Sequence, residues 1–366
     1  MEICIFLGAG ASAAENLPIQ NELFSNYFKY SLPLHPDSQM NIKLREFFKE
    51  IFNIDVVLDD IDNINFPTFE EVLGILDMAE QRRESFKNFG TDTYNNKNGS
   101  INLLRQYLVL LTANSINNAS KESHKYHELL LNNLLKKNQL LNTTFISANY
   151  DIHIDNTISK LYDKNNLPVM LDYGVDFANF NFKSSSWKRP TGKTIKLYKI
   201  HGSLNWLYCP ICSSLTLTPY EGGVMRILNN QDEATCLNCN EHTIPIIVPP
   251  TYFKDMSNVY LSSVWNKAEA SLRKADVIIF CGYSFPEADI HIKYMLKRVQ
   301  TSRNNNPLKI IVFNNHKNKS NSVLKKEEMR YKRFLGEDII FTKASFQDFA
   351  TDPYKYISLL ENNNWF

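Results

Sequence analysis

Apolar positions along the chain fall into two kinds of run. Short, apolar, strand-like segments occur at 2–7, 143–147, 195–200, 244–248, 276–281 and 308–313, with one more at 338–342. The first, at 2–7, reads as a buried strand. Elsewhere the spacing of apolar residues is near 3.6. Examples are Glu70 to Met78 and Leu103 to Leu110, inside a long segment from about 16 to 140 that reads mostly helical. Helical patterns also follow the later strand-like runs, at 257–274 and 286–299, and the tail from about 320. Strands alternating with helices predict an α/β fold with a parallel, doubly wound sheet. Three stretches depart from this. Tyr94 to Ser100 is rich in Asn and Lys and reads as a loop, 203–243 reads as a small insert, and the Asn-rich end reads as a frayed terminus. There is no internal repeat.

Composition narrows the picture. The chain has 366 residues, 43% of them apolar, which is ample for a large core. Forty basic and 39 acidic residues leave a net charge of +1, so no global field draws it to nucleic acid or an anionic membrane. The first residues carry no basic leader, and no uncharged stretch approaches the roughly 20 residues of a membrane helix. These features predict a cytoplasmic protein without a membrane span.

Candidate chemistry sits where the strand-like runs stop. Five strings follow such runs: Gly8-Ala9-Gly10-Ala11-Ser12, Ser147-Ala148-Asn149-Tyr150-Asp151, His201-Gly202-Ser203, Gly282-Tyr283-Ser284 and Phe313-Asn314-Asn315. A parallel sheet delivers its ligand-binding loops in this way, at its carboxyl edge. The first string is a small-residue turn ahead of a helical stretch, which suits a phosphate-bearing ligand. It is not a Walker loop, since no Gly-Lys-Ser/Thr follows, and the usual dinucleotide fingerprint lacks its third glycine and its later acidic residue. Taken alone, it reads equally as a tight strand–helix turn.

Six cysteines are present, four of them in two pairs, Cys209-Pro210-Ile211-Cys212 and Cys236-Leu237-Asn238-Cys239. Two such pairs close a tetrahedral zinc site, and four sulfur ligands leave no place for water, so the site is expected to be structural. Disulfides or unliganded thiols are the alternative.

Asn149, Asp151 and His201 are the polar residues best placed for catalysis. Any one of them, taken singly, is as readily a cap or turn residue. Together they offer a base that titrates near working pH and a neutral amide that orients water or a carbonyl. That pair suits cleavage through a cationic transition state, such as that of an N-glycosidic bond to nicotinamide. No nucleophile elbow and no His-Glu-x-x-His string is present.

In their order, these strings resemble the sirtuin family, Rossmann-like NAD-consuming proteins with a small zinc module. The likeness covers residues 3 to 315. It implies that Gly8, Ala9, Gly10, Ala11 and Ser12 hold the pyrophosphate of NAD. Asn149 and Asp151 would then bound the nicotinamide and its ribose, with His201 as general base. Gly282, Ser284 and Asn314 would hold the adenosine half, and Cys209, Cys212, Cys236 and Cys239 a structural zinc. The resemblance also implies a catalytic domain over 1–320, with a helical insertion at about 16–140 and a zinc insert at about 203–243. A helical extension, 321–366, would pack on the same domain.

Two departures bear on activity. A deacylating sirtuin continues its first loop with Gly-Ile-Pro-Asp-Phe-Arg, whereas this chain continues Ala13-Ala14-Glu15-Asn16-Leu17-Pro18. A deacylase also has Phe-Gly-Glu after its zinc module, where this chain has Val248-Pro249-Pro250-Thr251. That string, with Gly282 to Asp289, looks like the sirtuin-like proteins of bacterial antiphage defence. The likeness implies an NAD hydrolase that releases nicotinamide and ADP-ribose and depletes NAD in infected cells. It further implies a homo-oligomer, alone or with an accessory ATPase or nucleic-acid-binding partner. An NAD-dependent protein deacylase or ADP-ribosyltransferase, and a non-catalytic module that senses NAD or ADP-ribose, are the competing classes.

Overall fold

The computed structural model describes residues 1–90, 100–119, 125–165, 170–180, 189–218, 235–248, 258–303, 308–316 and 319–361. The expected loop at 94–100 falls almost wholly outside the described residues, as do the Pro249 to Lys254 string and the last five residues.

Seven strands form one parallel sheet. They are β1 (Ile3–Leu7), β2 (Thr143–Ser147), β3 (Met170–Asp172), β5 (Thr194–Lys199), β9 (Val277–Cys281), β10 (Lys309–Phe313) and β11 (Ile340–Phe341), in the spatial order β11-β10-β9-β1-β2-β5-β3. Every pairing along this order is parallel. β1 lies in the middle, and none of its five residues is more than 2% exposed. That explains its unbroken apolar sequence: a central parallel strand is covered on both faces. After β1 the chain lays β2, β3 and β5 on one side, in the spatial order β2-β5-β3, and later β9, β10 and β11 on the other. The direction of winding therefore reverses at β1, and the carboxyl edge at such a reversal is where an open α/β sheet places its ligand.

The strand ends are level. Lys199 pairs with Ser147, Ser147 with Leu7, Leu7 with Cys281 and Cys281 with Phe313, so one rung runs across five neighbouring strands. The ladder continues one residue further, with Ile200 N donating to Ser147 O (3.1 Å), Ala148 N to Leu7 O (3.0 Å), Gly8 N to Cys281 O (3.0 Å) and Gly282 N to Phe313 O (2.8 Å).

A second sheet has the order β4-β7-β6-β8, from β4 (Asn179–Phe180), β7 (Leu215–Leu217), β6 (Gly202–Tyr208) and β8 (Ile244–Ile247). The strand-like run at 244–248 belongs here and not to the parallel sheet. Gly202 makes the step from β5 into β6. It has φ +82°, and a Cβ there would lie 1.9 Å from the Ile246 carbonyl oxygen, so only glycine fits.

Two compact units emerge. One comprises 1–17, 122–246 and 256–366 and contains both sheets; the other comprises 18–121 and 247–255. In the first, α1 (Ala9–Ala13) follows β1, and α6 (Lys125–Lys136) and α7 (His153–Asn165) flank β2 in sequence. After β8 come α8 (Val259–Lys274), α9 (Ile290–Thr301), α10 (Asn321–Leu335), α11 (Phe346–Thr351) and α12 (Pro353–Glu361). Helix α6 packs on α7 and α11. The second unit holds α2 (Leu23–Asn26), α3 (Gln39–Phe52), α4 (Phe69–Arg82) and α5 (Ile101–Ala119). Its core is aromatic: Phe24, Phe28, Phe48 and Phe66 meet at ring distances of 4.9–6.5 Å.

Candidate functional site

The five strings lie at the carboxyl ends of five adjacent strands, β10, β9, β1, β2 and β5. Two of the loops interlock through backbone. Gly10 N donates to Gly282 O at 2.8 Å, and a Cβ on Gly282 (φ +61°) would stand 2.1 Å from Ala11 N. On Gly8 it would reach Tyr283 Cα at 2.6 Å. These glycines are required by packing alone, whatever else they do. The N–H groups of Gly8, Gly10 and Ala11 are spent inside this interlock and in the first turn of α1.

Asn149 joins the β2 loop to the first. Its amide nitrogen donates to Gly8 O and to Ser12 Oγ, both at 2.9 Å. Ser12 Oγ in turn donates to Asp151 Oδ2 at 2.6 Å, and Asp151 Oδ1 accepts from His153 N at 3.1 Å. Asp151 is buried, so both its oxygens act within the loop. Burial alone would raise its carboxyl, but the charges of His153 and Lys199 and the bond from Ser12 outweigh that and hold it below the ordinary carboxylate value.

His201, also buried, has Nδ1 3.2 Å from the Ala148 carbonyl oxygen. A carbonyl only accepts, so Nδ1 carries the proton and Nε2 keeps the lone pair. Tyr150 and Trp265 flank the imidazole, each at a ring distance of 6.4 Å, and Trp265 Nε1 donates to Ile200 O at 2.7 Å. On the far side, Asn314 is buried at the end of β10 with its Oδ1 unpaired among the described residues. An orphaned buried acceptor there fits a ligand that brings a donor. Ser284 is exposed at the same edge. Tyr283, between them, is structural: its ring packs 4.8 Å from Phe6, and its hydroxyl donates to Asp289 at 2.6 Å.

The four paired cysteines converge. Cys209 Sγ lies 3.4 Å from Cys239 Sγ and Cys212 Sγ 3.5 Å from Cys236 Sγ, too far for disulfides and near the ~3.8 Å edge of a tetrahedron with 2.3 Å metal–sulfur arms. The two knuckles repeat one geometry. Ser213 N donates to Cys209 O and Asn240 N to Cys236 O, with φ of +57° and +60° at Ser213 and Asn240. Hydrogen bonds with Ser214 lower the Cys212 thiol to about 6, while burial and the neighbouring cysteines push Cys239 up to about 12, so the four share their protons and the fit to a metal rests on their geometry. The residues fit zinc, which would staple this end of the second sheet without entering any reaction.

Two buried polar groups were not singled out by sequence reasoning. Glu15 Oε1 accepts from Tyr126 N (2.6 Å) and His127 N (3.0 Å), capping α6, and its Oε2 lies 3.0 Å from both His127 Nδ1 and His153 Nδ1. Three such side chains are also a conceivable metal ligand set. Glu15 Oε1 caps α6 and Oε2 meets His153 Nδ1, so these side chains brace α6 and α7, while His127 Nδ1 makes its 3.0 Å contact to Glu15 without a hydrogen bond. The second group centres on Lys199, whose ammonium is wholly buried and contacts the Asp151 carbonyl and Asp155 Oδ2. The sequence carried one signal of it: Lys199 shares a strand face with Ile195 and Leu197, where a charge is out of place.

Comparison with known proteins gives one family and one structural likeness. The model of the SIR2-like domain matches residues 143–333, which include Asn149, Asp151, His201, the four cysteines, Gly282, Ser284 and Asn314. A crystal structure of Sir2 with the inhibitor EX-527, 2'-O-acetyl-ADP-ribose and a deacetylated p53 peptide aligns over 99% of this chain and 94% of its own. Its identity is 13% and its TM-score 0.39, too low for the likeness to bear on the site. No curated protein matches the chain. The family match spans more than half of the 366 residues and takes in the strands that carry four of the five loops, and the chain belongs to the SIR2-like family.

Proposed function

We propose that the chain hydrolyses NAD, releasing nicotinamide and ADP-ribose. Membership of the SIR2-like family supports an NAD-utilising enzyme. The observation that carries the finer reading is the bridge made by Asn149. Its amide ties the first loop to the loop that also contacts His201, so the phosphate end and the reactive end of one extended ligand are set by one hydrogen-bonded unit.

The first loop, Gly8, Ala9, Gly10, Ala11 and Ser12, would lie along the pyrophosphate, with the N–H groups of Gly8, Gly10 and Ala11 already used inside the fold. Ser12, Asn149 and Asp151 border the nicotinamide ribose, and Asn314 and Ser284 with Gly282 take the adenosine half. As the glycosidic bond breaks, nicotinamide leaves neutral with the bonding electron pair and positive charge develops on the ribose. Asp151, held ionised, favours that charge at short range. Water adds to the anomeric carbon, Asn149 orients it through its amide oxygen, and His201 Nε2 takes its proton before releasing it to solvent.

In this reading the activity serves NAD depletion in the cytoplasm, by a homo-oligomer acting alone or with an ATPase or nucleic-acid-binding partner. No helix among the described residues is long and apolar enough to cross a membrane. The test is incubation of the purified chain with NAD, following nicotinamide with and without an acetylated peptide. Release without peptide supports hydrolysis. Release only with peptide makes the chain a deacylase. NAD or ADP-ribose binding without release makes it a sensing module.

A further inference from the structure

We propose that Lys199 is a positioning residue for this reaction, the cation that fixes the loop from Asn149 to Asp151 against the strand leading to His201. The inference rests on the hydrolase reading.

Lys199 is the last residue of β5 and sits on the common rung opposite Ser147, the last residue of β2. Just beyond that rung β2 turns into the Asn149 loop and β5 into His201. The Lys199 side chain is wholly buried. Its Nζ donates to the carbonyl oxygen of Asp151, at the end of the loop, and to Asp155 Oδ2 at 3.3 Å, in the first turn of α7. Asp155 is itself held, since its Oδ1 accepts from Tyr173 OH at 2.6 Å.

Stability does not explain this arrangement. A buried ion pair replaced by apolar residues of like volume is often neutral or stabilising, because the lost hydration of the two ions offsets much of their attraction. An apolar pair, however, has no donor for the Asp151 carbonyl. What the lysine adds is that contact, which anchors the loop carrying Asn149 to the strand carrying His201. Catalysis by an oriented amide and a base is sensitive to such placement; misplacement of about 1 Å costs on the order of 10²-fold.

The test uses the full chain with both charges removed together, Lys199→Met with Asp155→Asn, so that neither member of the pair is left unpaired and the buried Asp151 keeps His153 and Ser12. The expected result is cooperative unfolding as in the wild type and NAD affinity within about threefold. Turnover should fall about 10- to 100-fold, and amide exchange at 149–153 should quicken at least about tenfold. Lys199→Gln in the same Asp155→Asn background keeps a donor for the carbonyl and should recover part of both losses. It also serves as the reading if the Met variant does not fold. A folded Met variant with wild-type turnover and exchange overturns the proposal, as does a Gln variant no better than Met. If the wild type releases no nicotinamide, the hydrolase reading fails on its own, and the exchange comparison still decides whether Lys199 holds the loop.

Discussion

At the residue scale, His201 has its tautomer set by the acceptor on Nδ1. With the Ala148 carbonyl on Nδ1, the basic lone pair lies on Nε2. His201→Ala should therefore lower nicotinamide release by about 10²–10⁴-fold and leave the melting transition near that of the wild type. Unchanged release by the folded variant would take His201 out of the mechanism. Glu15 makes a prediction about pH. Burial would raise its carboxyl, but the bonds from His127 and His153 prevail and bring it well below its ordinary 4.5. A carboxyl depressed on folding stabilises at neutral pH, and that contribution is lost as pH falls below the unfolded value. Stability should thus decline from about pH 5 downward, and Glu15→Gln should flatten the decline in a melting-temperature series. Asn149, Asp151 and His201 were legible because each stands just past an apolar run. Glu15, His127 and His153 were not, because their meeting depends on how α1, α6 and α7 pack, and no local pattern encodes that. Lys199 left only its parity on the strand.

At the element scale, the parallel strands were readable wherever burial on both faces made them continuous in apolar residues. In the second sheet β8 was readable at 244–248, but β6 and β7 were not. β6 mixes Ser203 and Asn205 with Leu204 and Trp206, and β7 is three residues long, so neither stands out from an insert. The interlock of the first and fourth loops yields a sharp expectation. Gly282→Ala places a methyl 2.1 Å from Ala11 N in a left-handed backbone, and it should cost about 1–3 kcal/mol of stability or more, read as a drop in denaturation midpoint. Gly336, also at positive φ (+111°) but with open space around its Cβ position, should tolerate alanine better. The cysteine knuckles predict about one zinc per chain by metal analysis. Removing it with a chelator, or Cys209→Ser, should loosen the β6–β7 end before it alters turnover; a well-folded chain without zinc would refute the site.

At the scale of the whole molecule, the residues between α1 and α6 form a unit with its own aromatic core, as 18–121 cluster apart from the two-sheet unit. That segment was legible as helical but not as a unit, because a helical period does not say what a helix packs against. We expect it to carry the surface through which copies of the chain associate, as exposed apolar residues such as Leu34, Val57 and Leu58 suggest. Native mass measurement should give a multiple of the 42.4 kDa protomer, and charged substitutions at Val57 and Leu58 should shift it toward the monomer. A monomer at all concentrations would refute this.

The level rung has a consequence for how the protein is made. Ile3 pairs with both Thr143 and Val277, and the strand beyond Val277 is supplied only by 309–313. No part of the edge is built from residues that leave the ribosome together. The first loop is made well before its interlocking partner at Gly282 and the acceptor at Asn314. A growing chain is therefore without a complete pocket until Asn314 has emerged, and such long-range pairing also makes folding slow. For the hydrolase proposed above, the topology itself holds activity back until that last strand end has been made.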